Sequence, residues 1–131
     1  MFGEANILMF IPGINEETIP KSDAPLNHMA QKIHATAKEK GFWSDLSRLP
    51  GDCKNHFWGN RVALIHSEAS ELLEELRKSG WDKDAISEEL GDIIIRCLDF
   101  AAGMDLDIDK AINKKMGKNN DRETMHGGKR F

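Results

Sequence analysis

The chain has 131 residues, a net charge of −4, 40% hydrophobic and 31% charged residues, which suits one domain with one core and excludes a disordered chain. No run approaches the roughly 18 apolar residues of a membrane-spanning helix, and the acidic balance argues against a general nucleic-acid binder, which carries a basic patch. Two cysteines, Cys53 and Cys97, are too few for a disulfide framework and point to a reducing, cytoplasmic setting.

Residues 1–25 hold Pro12, Pro20 and Pro25 without sustained periodicity and are expected to form an irregular N-terminal arm. The apolar start Ile7 to Ile11 follows Glu4 and runs into Pro12-Gly13, unlike a signal peptide. Residues 26–131 read as an all-α domain, a four-helix bundle. The first helix is expected from Leu26 to Lys40, with Leu26, Met29, Ala30, Ile33 and Ala37 inward and Gly41 as its stop. Phe42 to Gly59, with two tryptophans, a proline and two glycines, is expected to be a loop with short helical turns. The second helix is predicted from about Arg61 to Ser79, with Val62, Ile65, Ala69, Leu72, Leu73 and Leu76 as one apolar stripe and Gly80 as its end. The third is predicted from about Asp84 to Ala102, ended by Gly103. Its stripe of Ile86, Leu90, Ile93, Ile94, Cys97, Phe100 and Ala101 is widened by Ile95 and Leu98, too broad for one small core, so the chain is expected to be oligomeric. The fourth runs from an Asp107 cap to about Asn119.

On a wheel of about 100° per residue with Glu68 at zero, Glu71 falls near −60° and the apolar stripe spans roughly 40° to 140°. With Glu89 at zero, Asp92 falls near −60° and the stripe begins near 20°. Each helix thus carries an i, i+3 carboxylate pair, Glu68/Glu71 and Glu89/Asp92, on the same flank of its apolar face. Antiparallel packing through Gly80 would converge four carboxylates. At about 4–6 Å like charges destabilise one another unless cations neutralise them, and an all-oxygen cluster suits Mg²⁺, with Mn²⁺ as the alternative. The plain reading is a solvated acidic face, since either pair alone recurs by chance in helices. A ferritin-like di-iron site needs inward Glu-x-x-His motifs. Ala63 stands three residues before His66, so that reading fails.

Glu68-Ala-Ser-Glu71, seventeen intervening residues and then Glu89-Leu-Gly-Asp92 resemble the paired motifs of the MazG-like nucleotide pyrophosphohydrolases, of the all-α NTP pyrophosphatase superfamily. The resemblance covers about Leu26 to Phe131. It extends to Lys40-Gly41-Phe42-Trp43, to Ala63 through Ser67, to Lys118-Asn119 through Arg122, and to His126 through Phe131. The lysine that often stands shortly before the second motif is replaced by Ala85 and Ile86, so a phosphate contact must come from elsewhere, with Lys83 or the C-terminal cations as candidates.

This resemblance implies cleavage of a nucleoside triphosphate between its α and β phosphates, giving the monophosphate and pyrophosphate, by a homodimer or homotetramer. Glu68, Glu71, Glu89 and Asp92 would hold metal, and Glu71 would take the proton of the attacking water. Lys118 and Arg122 are the best matches for phosphate contacts, ahead of Lys115, Lys129 and Arg130. Trp43 is the strongest candidate to stack on the base, with His34, Phe57 and Trp58 beside it, and Asn119 is placed to bond a sugar or base edge. The ordinary alternatives are a solvated cationic tail, aromatics filling the core edge and an Asn cap. A non-enzymatic helical module with an acidic docking surface is the competing function.

Overall fold

Pro25 opens the first helix, α1 (Pro25–Glu39), because its preset φ suits the first helical position and it has no N–H to leave unpaired there. Ala24 provides no side-chain cap. The cap arrives from far along the chain: the buried Asp109 carboxylate accepts from the backbone N–H of Leu26 at 3.2 Å and of Asn27 at 2.7 Å. The Asn27 amide oxygen in turn accepts from the N–H of Ile108 at 2.8 Å, at the start of the last helix. Gly41 ends α1 with φ 84°, a conformation glycine adopts without penalty.

The computed structural model describes residues 23–121. Most of the expected N-terminal arm, and Arg122, His126, Lys129 and Arg130, therefore lie outside the described residues. Turns over 40–49 lead to a 3-10 turn, Gly51–Cys53, and then to α2 (Lys54–Arg77). That start lies about two turns before the expected Arg61. Packing overrides composition here: Phe57 and Trp58 stack against Trp43 with ring centroids 5.3 and 5.5 Å away. Burying such side chains is worth about 1.5–3 kcal/mol each, against about 0.5–1 kcal/mol for the helical Gly59.

Gly80, with φ 79°, turns the chain into α3 (Lys83–Gly103), whose cap Asp82 accepts from the N–H of Asp84 at 3.0 Å. Helix α4 (Ile108–Asn120) is capped by Asp107, which accepts from the Lys110 N–H at 3.1 Å. Bonds from Asn27 Nδ2 and then from that N–H hold the Asp107 carboxyl below its ordinary pKa. Gly103 was expected to stop α3, but it lies in the last helical turn. A Cβ there would come within 2.8 Å of Trp43 Cζ3, so this glycine seats the indole, and Asp105 takes the positive φ of 55° beyond it.

Helix α3 is central, packed against α1 on one side and α2 on the other, while α4 touches α1. The bond from Arg96 Nε to Glu68 Oε1, at 2.9 Å, and the approach of Glu71 to Glu89 show that α2 and α3 run antiparallel. No helix among the described residues is long and apolar enough to cross a membrane.

The wheels locate the contact faces. On α2 the half-buried and buried side chains over 61–75, Arg61, Leu64, Ile65, Glu68, Leu72 and Glu75, centre near 10°, so Glu68 and Glu75 face inward while Glu71 stays exposed at the border of the core. Most of the expected stripe is left open: Val62, Ala69, Leu73 and Leu76 are exposed, as are Leu90 and Ile94 on α3. Equal angles on antiparallel partners fall on the same side of the pair, so these residues form one continuous apolar face. Leu98, expected to share in that excess, is buried in the intramolecular core with Ala30, Trp43 and Ala101.

Candidate functional site

Helices α2 and α3 bring one oxygen each from Glu68, Glu89 and Asp92 within 4.8 Å of one another. Three like charges so close cost free energy, and burial, then the charges of Glu71, Asp92 and Glu75, raise the Glu89 carboxyl above its ordinary pKa. Its Oε2 is buried and has no hydrogen-bond partner. A buried acceptor without a donor, set among carboxylate oxygens, matches what a divalent cation takes from a protein. Glu71 stands outside the trio, exposed and near enough to raise Glu89. Glu75 pairs with Lys78.

Next to the trio lies a network that sequence reading missed. Asp99, 7% exposed, accepts from Trp43 Nε1–H at 3.0 Å and lies 2.8 Å from His34 Nδ1. Trp43 was expected to offer its face to a base. Instead it is 8% exposed, with His34 at its edge 4.6 Å away, Phe57 and Trp58 beside it and the Arg61 guanidinium 4.6 Å from its centre. In this arrangement the indole belongs to the core and positions Asp99. His34 shares that carboxylate. Phe42, beside it in sequence, is exposed instead.

A groove of about 270 Å³ opens between α1 and the hairpin, and its charged lining is Lys40, Arg61, Glu68, Asp92, Arg96 and Asp99. Ile33, Ala37, Ile95 and Phe42 supply its apolar surface. Glu68 and Asp92 belong to both the trio and the groove, so the carboxylates and the groove cations line one continuous site. Of the cations expected from sequence, Lys118 is exposed near the end of α4 with Asn119, and Arg122 is outside the described residues. The three cations at the groove went unnoticed because i, i+3 spacing is visible along one helix, whereas Lys40, Arg61 and Arg96 meet only across three segments.

The structure is thus an all-α domain with a carboxylate pair on each of two consecutive antiparallel helices. The family model of the MazG nucleotide pyrophosphohydrolase domain matches residues 60–126, and the chain belongs to that family. The match includes both carboxylate pairs and leaves α1 outside. Neither a curated protein nor a solved structure matches the chain.

Proposed function

We propose that this protein is a Mg²⁺-dependent nucleoside triphosphate pyrophosphohydrolase that cleaves between the α and β phosphates and releases a nucleoside monophosphate and pyrophosphate, in a house-cleaning or pool-adjusting role. The observation that carries the reading is the trio Glu68, Glu89 and Asp92 with an unpartnered buried oxygen on Glu89, in a chain of the MazG family. These residues, with Glu71, would hold the cation, Mg²⁺ or in its place Mn²⁺. When bound, such an ion polarises phosphate oxygens and lowers the pKa of a ligated water. Glu71, exposed beside the trio, is free to accept the proton of the water that attacks phosphorus. Lys118, Asn119 and Arg122 remain proposed substrate contacts, and His34 acts through the carboxylate it shares with Trp43.

We propose further that the working species is a homodimer or larger. The open face of α2 and α3 supports this, since its half-exposed side chains forgo about half of the roughly 1.5–3 kcal/mol that full burial of each would give. Pyrophosphate release from a panel of ribo- and deoxyribonucleoside triphosphates, with Mg²⁺ and with chelator, tests the activity. Mg²⁺-dependent turnover of at least one is expected. Inactivity across the whole panel would favour the non-enzymatic module.

A further inference from the structure

The groove carries cationic donors that the protein itself leaves unused. Asp99 is committed to Trp43 and His34, and Glu68 to Arg96 Nε. Among the described residues, Lys40 has no ion-pair partner and the Nη groups of Arg96 have no acceptor. Arg61 is held rigidly: its guanidinium lies 4.6 Å from the ring centres of both Trp43 and Phe57, one Nη donates to the Phe42 carbonyl, and its buried Nε is unpartnered. The charge of Arg96 is close enough to act on Arg61. The charge of Asp99 offsets their mutual repulsion in part, and donors on both guanidinium groups remain for a further anion. A polyphosphate suits this place, because guanidinium forks match phosphate oxygens and the groove starts at the carboxylates.

We propose that Arg61 and Arg96, with Lys40 as the third cation, form the wall that receives the phosphate chain of the substrate as it leaves the carboxylate trio. This rests on the pyrophosphohydrolase reading and adds to it a phosphate subsite within residues 40–96, separate from the C-terminal cations. Arg96 has a double position, paired through Nε with Glu68 and turned by its groove location toward the ligand, so it links the two halves of the site.

The test is calorimetric binding of methylenediphosphonate, a non-hydrolysable diphosphate, in the presence of Mg²⁺, alongside the thermal shift produced by Mg²⁺ alone. Arg96→Gln and Lys40→Gln are each expected to weaken diphosphonate binding, Arg96→Gln by about 10-fold or more, as befits a charge-assisted contact. Arg96→Lys should recover part of the loss, and the dependence of affinity on salt should flatten. Arg61→Lys keeps the charge but loses the fork, and serves where a larger change would disturb the Trp43 cluster. The Mg²⁺ thermal shift should persist in every variant. Unchanged diphosphonate affinity in Arg96→Gln and Lys40→Gln overturns the wall even if the enzyme turns over nucleotide. Loss of the Mg²⁺ shift in Arg96→Gln also overturns it, since Arg96 would then act by positioning Glu68. Weakened binding as described, in a protein that hydrolyses no triphosphate, upholds the wall and sinks the activity instead.

Discussion

On the side of the α2–α3 hairpin that faces α1, charges are packed inward, with Glu68 9% and Asp99 7% exposed. On the opposite side Leu73 is 55% and Ile94 49% exposed, the reverse of the usual ordering of burial. The two sides also differ in how their groups are satisfied. Toward α1, carboxylates are matched by Arg96, His34 and the Trp43 indole, with one oxygen of Glu89 left over. Away from α1, apolar side chains are left about half exposed. Each side is incomplete in its own currency, which on one is charge and on the other is apolar area, and each incompleteness specifies what should fill it.

The comparison breaks most sharply at the carboxylates. Asp92→Asn or Glu71→Gln is expected to lower kcat by at least about 100-fold, more than the 10–100-fold that outer partners of a metal site contribute, while far-UV circular dichroism stays unchanged. Full activity of both variants in excess Mg²⁺ would end the carboxylate assignment. The open side comes next. Ile94→Asp combined with Leu73→Asp should convert the proposed oligomer to a monomer in sedimentation at micromolar concentration. A wild-type chain that is already a monomer would show that the face is left bare.

A smaller effect separates the two sides by pH. In the metal-free fold Glu89 has a raised pKa, so the native state keeps a proton that the unfolded chain gives up first. The stability this contributes is present below the unfolded carboxyl range and is lost as pH rises through the higher folded value. Melting of the chelator-treated protein should therefore show a decline on that rise which Glu89→Gln removes, leaving the variant the more stable one near neutrality. An identical pH profile for both proteins would mean that Glu89 carries no such strain. The smallest effect lies away from the hairpin. Asn27→Ala removes the bonds to Ile108 and Asp107 that join α1 to α4, and should cost about 0.5–2 kcal/mol, the range of a lost cap. Denaturant titration would register it, and the thermal shift by Mg²⁺ should be unaffected.

Local signals determined a large part of this structure from the sequence alone. Helical periodicity and the stops at Gly41 and Gly80 mark elements within a few residues of their observed ends, because such features act over one turn of chain. The i, i+3 carboxylate pairs were legible for the same reason, and they lead to the trio with Glu71 beside it. What only the tertiary structure decided are the matters set by partners distant in sequence. The wheels placed the glutamates at the border of the core, and Glu71 stays there, but packing against α3 turned Glu68 and Glu75 inward, and no single-helix pattern contains that rotation. Composition made 54–59 a loop, whereas the Trp43 cluster made it helix. Gly103 read as a stop and is the seat of an indole 60 positions earlier. The Asp99 network, the cations at the groove and the exchange of caps between the starts of α1 and α4 join residues 19 to 83 positions apart. Such contacts form only after the helices have packed, so their energy is absent from any local stretch of the chain.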